Sequence, residues 1–421
     1  APADGVVTGD LTLVGSGDPL LTTDPYELVR RIGPDQPTTS LEALADAVAG
    51  SGVRWVTGRV VGDESRYDQQ RHVATWPERY VEQNQSGPLS ALSVNDGFVL
   101  LPGEGPDDPI RRERSADPAT DAARALTDLL IARGVVVEGA PAAGPAPAGA
   151  TELAAVESAP LGEIVRQLLE QSDNQTGELL TKELGVAAGS GGSTDAGLEV
   201  IRRRGGELGY VQAGSQVVDG SGLDTGNRVT CDQLVTVLQA TGGADGTLGN
   251  RLPVAGENGT LEDRFGDNPA AGRLRAKTGT LRSVSALAGF VDLPEGGTAT
   301  FSYVVNDVEV TSQLLAIQDR LGEVLGTHVA PCPDTPAASV IAPVGPYAGQ
   351  AGTLSMLPLQ TVLVPAMVGP LAAFEQQQAA LVDRCLAADD TFDLELIVDR
   401  SGVGSGDIPG GAGRPLPGGG A

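Results

Sequence analysis

Apolar residues recur at helical spacing in the middle of the chain. From residue 160 onward they fall at positions i, i+3, i+4, i+7 and i+8, which predicts an amphipathic helix, and a second apolar stripe follows after a short polar break. The break contains Ser172, Asp173 and Asn174, which we therefore expect at a junction between two helices. The stripes consist of Leu161, Ile164, Val165, Leu168 and Leu169 in the first helix and Leu179, Leu180 and Leu184 in the second.

Other segments carry the start and stop signals of helices or the β-branched runs of strands. Asp117 followed by Pro118 fits the N-cap and the first turn of a helix. Three successive strand-like segments near residue 290 predict an antiparallel meander. Helices are predicted at 40–50, 118–133, 196–204, 231–240 and 312–325. Strands are predicted as two short runs within 5–14, at 55–61 and 135–137, as a strand leading into a turn at 217–223, and at 272–280, 284–292 and 298–305.

The composition of the chain changes twice. Residues 139–150 consist of alanine, glycine and proline, which predicts a linker and a domain boundary near it. Beyond Cys332, residues 351–374 are uncharged and apolar, but prolines interrupt them, so a membrane-spanning helix is not favoured. Residues 410–421 are rich in glycine and proline and are predicted to be disordered.

Acidic residues dominate the charge of the chain. The formal net charge is −27 and the sequence pI is about 4.3. Nucleic-acid binding requires a clustered basic surface, so this balance argues against a nucleic-acid partner. The turn at 15–19, Gly-Ser-Gly-Asp-Pro, lacks the Lys-Ser/Thr of a phosphate-binding loop and indicates a strand-to-turn passage. We predict no cofactor.

Cysteine and histidine are both scarce. The three cysteines, Cys231, Cys332 and Cys385, do not have metal-ligand spacing, and only His72 and His328 could join them, so a zinc site is not expected. Two interpretations of the cysteines stay open. Either Cys332 pairs with Cys385 in an oxidising compartment and leaves Cys231 as a buried thiol, or all three are free thiols.

Lysine is rarer still, and one of the two lysines lies in a suggestive context. Lys182 and Lys277 are the only lysines among 28 basic residues. Lys277 is followed by Thr278-Gly279-Thr280 on the first strand of the predicted meander. Taken alone, such a residue is a solvated strand lysine, and Lys-Thr-Gly recurs by chance. Whether Lys277 belongs to a functional site has to be judged from the rest of the sequence.

Ser221 suggests a different enzyme class. It lies in Asp219-Gly220-Ser221-Gly222-Leu223, where a Ser-His-Asp hydrolase would place its nucleophile in a Gly-x-Ser-x-Gly turn. That turn does not occur in this segment, and neither histidine has a supporting context. We expect His72 to be a surface residue, and the hydrolase interpretation is weak.

Two polar motifs together resemble a known family. Ser172-Asp173-Asn174 at a helix junction and Lys277-Thr278-Gly279 on a strand match two of the three signature motifs of penicillin-binding proteins and serine β-lactamases. The chain resembles one branch, the class C D-alanyl-D-alanine carboxypeptidase/endopeptidase family, over roughly residues 5–330. The matching stretches are 9–19, 172–174, 219–223, 227–230, 252–256 and 275–281.

The resemblance implies a fold and an activity. It implies an α/β protein of the α+β type, in which residues 155–330 form a transpeptidase-like domain with an antiparallel sheet flanked by helices. Residues 1–154 would form an inserted accessory region rich in strands, and 331–421 an unassigned tail. The implied enzyme acts outside the cytoplasm on peptidoglycan stem peptides ending in D-Ala-D-Ala. It releases the terminal D-alanine through an acyl-enzyme that β-lactams would trap.

The resemblance also implies residue roles. Ser172 would relay a proton to the leaving nitrogen, and Asn174 would hydrogen-bond the substrate amide and the catalytic lysine. Lys277 would supply positive potential to Ser172 and to the substrate carboxylate. The residues implied in binding the substrate strand, its carboxylate and the oxyanion are Thr278, Gly279 and Thr280.

The third signature, Ser-x-x-Lys, does not occur in the 421 residues, because Leu179 and Leu274 stand three positions before the two lysines. We expect that the chain lacks an N-terminal part carrying this nucleophile and is inactive as given, with the 161–169 stripe partly exposed and the fold marginally stable. The alternative is a non-catalytic relative that binds cell-wall peptide. Carboxypeptidase or endopeptidase action, oligomeric state and membrane association stay open.

Overall fold

The computed structural model describes residues 4–103, 109–211, 214–294, 296–307 and 309–327, together with two strands at 361–364 and 393–398. The helices are α1 (Asp24–Arg30), α2 (Leu41–Gly50), α3 (Glu78–Glu82), α4 (Pro118–Ala132), α5 (Leu161–Gln171), α6 (Asn174–Ala187), α7 (Thr194–Glu207), α8 (Cys231–Ala240) and α9 (Ser312–Thr327). The strands are β1 (Val6–Val7), β2 (Leu11–Val14), β3 (Leu21–Thr22), β4 (Thr39–Ser40), β5 (Trp55–Val56), β6 (Val60–Asp63), β7 (Phe98–Leu101), β8 (Arg111–Arg114), β9 (Val136–Val137), β10 (Ala142–Ala143), β11 (Leu274–Leu281), β12 (Val284–Asp292), β13 (Thr298–Asn306), β14 (Thr361–Val364) and β15 (Asp393–Val398).

The first core lies between helices α2 and α4 and the short parallel strands of the N-terminal third. Strands β1, β5 and β9 form one small sheet, and β10, β6 and β2 form another. Helix α4 begins as predicted, with the Asp117 side chain accepting a hydrogen bond from the Thr120 N–H at 3.2 Å. The buried side chains of this core include Leu41, Val48, Val60, Ala122, Leu126 and Leu130.

The second core surrounds an antiparallel meander, and the prediction of this meander is confirmed. Strands β11, β12 and β13 pair antiparallel, and β15 and β14 extend the sheet beyond β13 as parallel strands. Helix α9 covers one face, where Leu314 and Leu321 pack with Leu274 and Leu287. On the other face, Phe290 packs with Leu238 of α8 and Leu169 of α5. The prediction of an antiparallel sheet flanked by helices is therefore confirmed, and β11 forms one edge of it.

Helix α6 is anchored to the N-terminal third of the chain by two ion pairs. The side chain of Lys182 is fully buried, and its Nζ donates to an oxygen of Asp68 and to Gln70 O at 3.1 Å. In the next position of the helix, Glu183 accepts hydrogen bonds from Arg66, with Nε–Oε2 and Nη2–Oε1 distances of 2.9 and 2.5 Å. One of the two lysines of the chain therefore holds the fold together and is not available to a ligand.

Helix α5 is incompletely covered along its apolar stripe. Ile164 is buried, but Leu161 is 64% exposed and the other members of the stripe are half-buried. The expected partial exposure of residues 161–169 is present in the structure.

Two sequence predictions of strands were wrong in detail. The predicted strand 55–61 is two strands in different sheets, β5 and β6, because the chain turns at Gly58, whose N–H donates to Gly9 O at 2.9 Å. The segment 217–223, for which the sequence predicts a strand leading into a turn, is a loop throughout, flanked by a single β-bridge between Gln216 and Arg228. Helix α1 and the β7–β8 hairpin were not predicted.

The predicted linker takes part in the first core. Ala142 pairs with Val61, so β10 lies within residues 139–150, and Leu153, Ala154 and Val156 pack against the apolar side chains of this core. The domain boundaries at 154 and 330 stay predictions.

Several remaining expectations concern residues outside those described. Cys231 is a buried thiol at the start of α8, whereas Cys332, Cys385, His328, the predicted disordered segment 410–421 and most of 331–421 lie outside the described residues. Within the part of the chain that is described, no helix has the length and apolar composition needed to cross a membrane. In the same part, no three His, Cys, Asp or Glu side chains group as a metal site requires.

Candidate active site

Ser172 lies at the junction of α5 and α6 in an unusual backbone conformation. It is the C-cap of α5 with φ 55° and ψ 48°, and its N–H donates to Leu168 O. Helices often end with a residue in this left-handed region, but the residue is usually glycine, since a side chain there costs roughly 1 kcal/mol. Strain of this kind concentrates at functional sites. Because of this sharp turn, the half-buried serine hydroxyl does not cap either helix.

The next two residues fix the start of α6. Asp173 is the N-cap, and its carboxylate accepts hydrogen bonds from the Thr176 N–H at 3.2 Å and the Thr176 hydroxyl at 2.8 Å. Asn174 is the first residue of the helix, and its Nδ2 donates to Gln85 O at 2.8 Å. The junction predicted from the apolar pattern is confirmed, and Gln85 is a neighbour that no sequence motif indicated.

Lys277 reaches Ser172 from strand β11. Its Nζ donates to Ser172 Oγ at 2.7 Å and to Thr278 O at 2.7 Å. Opposite Lys277 on β12 stands Ala288, a small residue that leaves room for the lysine stem. Burial disfavours the charged form and lowers the pKa of Lys277 to about 8. The ammonium is therefore still mostly protonated at neutral pH, but it is easily neutralised.

The three residues after Lys277 lie along the edge of the sheet. Thr278 is half-buried, and its Oγ1 lies 2.9 Å from Oγ1 of Thr260. Gly279 faces Ala286, and a Cβ on Gly279 would lie 3.3 Å from the Cβ of Ala286, a tight contact. Thr280 is exposed. A side chain at 279 would require Ala286 to shift by a few tenths of an ångström.

Five of the six predicted site residues thus fall into two groups that meet at one contact. Ser172 and Lys277 are 105 positions apart in sequence and hydrogen-bonded in the structure. Thr278, Gly279 and Thr280 continue the strand from that contact. Asn174 is the first residue of α6, and its amide nitrogen donates to Gln85 O. The catalytic and binding roles of all six stay predictions.

A buried aspartate shapes the loop behind α6. Asp219 is 2% exposed and accepts hydrogen bonds from the Trp76 indole N–H at 3.0 Å and the Gly222 N–H at 2.9 Å. Its second oxygen also accepts from the Asp224 N–H at 2.6 Å. These backbone N–H groups are satisfied by a side chain, so segment 217–223 does not need a strand ladder.

Ser221 is held by a buried acid and not by a histidine. Glu178, on α6, accepts hydrogen bonds from the N–H groups of Gly220 and Ser221 at 2.9 and 2.8 Å. Burial raises the pKa of Glu178 to about 7. His72 is exposed, as predicted. The Ser-His-Asp interpretation of Ser221 gains nothing from these contacts.

A cavity of about 350 Å³ adjoins the α5–α6 junction. Its walls include Asp96, whose carboxylate accepts a hydrogen bond from the Tyr26 hydroxyl at 2.6 Å. Burial, reinforced by the negative charge of Asp173, raises the pKa of Asp96 to about 6. The other polar residues on the wall include Arg30, Gln85, Gln167, Ser172 and Asn174. A polar space large enough for several ligand atoms therefore lies directly beside Ser172.

A family profile matches most of the chain. The profile is that of the D-Ala-D-Ala carboxypeptidase 3 (S13) family, and it matches residues 1–103 and 101–326. Both polar motifs of the site lie within the matched residues.

Characterised relatives are similar over about three quarters of the chain. The D-alanyl-D-alanine carboxypeptidase of Actinomadura sp. (strain R39) is 32% identical over 397 residues, which cover 76% of this chain and 70% of that protein. Carboxypeptidase DacB of Mycolicibacterium smegmatis is 32% identical over 316 residues, covering 72% and 65%. Carboxypeptidase Rv3627c of Mycobacterium tuberculosis is 31% identical over 313 residues, covering 71% and 63%. The chain therefore spans about two thirds of the length of these relatives.

The fold is similar to that of a solved penicillin-binding protein. Penicillin binding protein 4 (dacB) from Haemophilus influenzae superposes with a TM-score of 0.58 at 20% identity, covering 74% of this chain and 79% of that one. The same protein complexed with a β-lactam gives a TM-score of 0.52 at 19% identity, covering 74% and 78%. At this level of identity the likeness establishes the mixed α/β architecture.

Proposed function

The chain belongs to the D-Ala-D-Ala carboxypeptidase 3 (S13) family, and on that premise we propose that Ser172 and Lys277 form part of a serine-type D-Ala-D-Ala carboxypeptidase site. The observation that carries this proposal is the 2.7 Å hydrogen bond from Lys277 Nζ to Ser172 Oγ. No Ser-x-x-Lys motif occurs among the 421 residues, so roles are proposed for these two residues and the nucleophile is left unassigned.

The contact with Lys277 orients the proton of Ser172. An ammonium group has only donors, so Ser172 Oγ must accept from Lys277, and its own proton points elsewhere. A hydroxyl held in this way can donate to the nitrogen of a departing D-alanine as the peptide C–N bond breaks. The Lys277 ammonium replaces that proton through the same 2.7 Å contact, and the lysine amine then regains a proton from solvent. The neighbouring positive charge stabilises the serine oxygen while it is short of a proton.

The substrate class follows from the charge of the edge. A D-Ala-D-Ala terminus is a carboxylate, and Lys277, with the hydroxyls of Thr278 and Thr280, offers a cation and two donors to it. Lys277 is also the cation that lies within hydrogen-bond distance of Ser172. Hydrogen bonds to a charged group contribute about 1.5–3 kcal/mol each. An anionic peptide end therefore suits this edge better than a neutral one.

The partners and the location are those of cell-wall chemistry. We propose that the substrate is a peptidoglycan stem peptide ending in D-Ala-D-Ala and that the protein acts outside the cytoplasm. We also propose that β-lactams, whose carboxylate resembles that terminus, occupy the same edge. The Haemophilus protein, which has a similar fold, forms a complex with a β-lactam. Trapping of an acyl-enzyme additionally requires the nucleophile.

A binding experiment on the 421-residue chain tests the anion site. An N-acylated D-Ala-D-Ala peptide is titrated against the wild type and against Lys277→Met, and calorimetry gives the Kd. Because Met keeps the stem and removes the charged donor, we expect the Kd to rise about 10- to 100-fold. The same peptide with a C-terminal amide should bind weakly to both proteins.

A matched variant controls for the loss of one positive charge. Arg124 lies on α4, and its side chain is 57% exposed. Arg124→Met should leave the Kd within about twofold of wild type, since exposed charges are screened by salt. Equal binding of the acid and the amide by the wild type, or a Kd that Lys277→Met does not change, would contradict the proposed site.

A further inference from the structure

One loop, residues 253–261, joins the two halves of the candidate site, and we refer to it as the bridging loop. On one side it pairs with the first half of β11. The Ala276 N–H donates to Pro253 O at 3.0 Å, and Val254 and Arg275 form a β-bridge. These contacts end at the residue before the site lysine. The bridging loop therefore supports the strand immediately ahead of the site.

On its other side the bridging loop contacts the end of α5. Asn258 Nδ2 donates to Glu170 Oε1 at 3.3 Å, two residues before Ser172. Gly259 has φ +57°, and a Cβ there would lie 2.6 Å from Glu170 O, so only glycine permits this approach. The loop thus touches both the helix that ends at Ser172 and the strand that carries Lys277.

The bridging loop also places a hydroxyl against the site. Thr260 Oγ1 lies 2.9 Å from Oγ1 of Thr278, and both side chains are half-buried. Each hydroxyl has one proton and two lone pairs, and it can rotate. When Thr278 donates to Thr260, its proton is unavailable to a ligand. When Thr260 donates to Thr278, the Thr278 proton is free to point at the sheet edge.

We propose that Thr260 is a positioning residue for carboxylate recognition. With an anion at the edge, Thr260 donates to Thr278, and the Thr278 proton turns to the anion. The hydrogen bond from Thr260 then fixes the direction in which the Thr278 hydroxyl donates its proton. This role rests on the proposed function, because it requires a carboxylate beside Thr278. Neither the sequence motifs nor the family description assigns a role to Thr260.

Two variants of Thr260 separate the hydroxyl from the shape of the side chain. Thr260→Val keeps the shape and removes the hydroxyl, whereas Thr260→Ser keeps the hydroxyl. Both are titrated, as the full chain, with an N-acylated D-Ala-D-Ala peptide and with its C-terminal amide. We expect Thr260→Val to weaken the acid about 3- to 10-fold and to leave the amide unchanged. Thr260→Ser should bind the acid within about twofold of wild type.

A double-mutant cycle shows whether the effect passes through Thr278. In a Thr278→Val background, Thr260→Val should change the Kd of the acid by less than about twofold, since the hydroxyl it orients is gone. Equal weakening of acid and amide, failure of Thr260→Ser to restore binding, or additive effects in the cycle would each overturn the role of Thr260. If the wild type does not prefer the acid, the proposed function itself fails, and this is seen before any variant is made.

Discussion

At the scale of single residues, the proposed chemistry depends on a lysine whose pKa is lowered, so that it loses its charge more easily than an exposed lysine. Burial lowers the pKa of Lys277 to about 8, while Ser172 Oγ and the Thr278 carbonyl oxygen accept hydrogen bonds from its Nζ. The other lysine, Lys182, is fully buried against Asp68 and serves the fold. The surroundings of the two lysines therefore determine their roles: Lys182 stabilises the fold, and Lys277 is placed at the candidate site.

The pKa of Lys277 predicts a pH dependence for anion binding. As pH rises through about 8, the free protein loses the proton that attracts the carboxylate, so the Kd should increase by up to about tenfold per pH unit above that value. Titrations of the D-Ala-D-Ala peptide between pH 6 and pH 9.5 measure this. Lys277→Met should give a flat profile, and a wild-type profile equally flat across pH 8 would contradict the assignment.

The sequence predicted some of these residues and could not predict others, for a physical reason. Ser172 and Lys277 belong to short motifs. The spacing of the apolar residues around them predicts a helix junction for Ser172 and a strand for Lys277. Gln85 contacts Asn174 and Thr260 contacts Thr278 only because the chain folds back on itself, with separations of 89 and 18 positions. No local pattern marks a residue whose role is to accept from Asn174 or to face Thr278.

At the scale of elements, α6 organises the site from its first turn onward. Its N-cap Asp173 fixes the junction, and one turn after Asn174 the fully buried Glu178 holds the loop at Ser221. For this loop, which opens with two valines, the sequence predicts a strand leading into a turn. The carboxylates of Asp219 and Glu178 replaced the ladder partners that a strand would need. Apolar spacing reports burial, but it does not report such side-chain substitutes.

Glu178 predicts a pH-dependent contribution to stability. Its pKa is raised to about 7 from 4.5, so between these values the folded state keeps a proton that the unfolded state has lost. Stability therefore falls as pH rises from about 4.5 to 7. Glu178→Gln keeps an acceptor for the two N–H groups and cannot titrate. Urea unfolding at pH 5 and pH 8 should show a loss smaller than that of the wild type by about 2 kcal/mol. Parallel losses in the two proteins would exclude this role for Glu178.

At the scale of the whole molecule, two cores with different architectures share one acidic chain. The first core uses short parallel strands, and the second uses a sheet in which β11, β12 and β13 run antiparallel while β15 and β14 are added as parallel strands. Helix α6 is held to the N-terminal third by the contacts of Lys182 with Asp68 and of Glu183 with Arg66. A net charge of −27 opposes this association by repulsion, and Leu161 on α5 remains 64% exposed. Both features favour the marginal stability expected from the sequence.

Ionic strength should therefore shift the thermal stability. Salt screens the repulsion among surface carboxylates more than it weakens the buried pairs, so the Tm should rise by several degrees between 20 and 200 mM sodium chloride. Differential scanning calorimetry at pH 7.5 measures it, with potassium chloride at equal concentration as the control. A Tm that falls with salt, or a high Tm that salt does not change, would contradict this account.

The left-handed backbone at Ser172 has a consequence for protein engineering. Glycine would occupy that position at lower conformational cost, so a search for stabilising substitutions that ignores ligand binding would favour replacing the serine that Lys277 contacts. Any thermostabilised library built on this scaffold would then drift toward better folding and poorer recognition. Screening for stability and for ligand retention together is the way to keep both properties in one sequence.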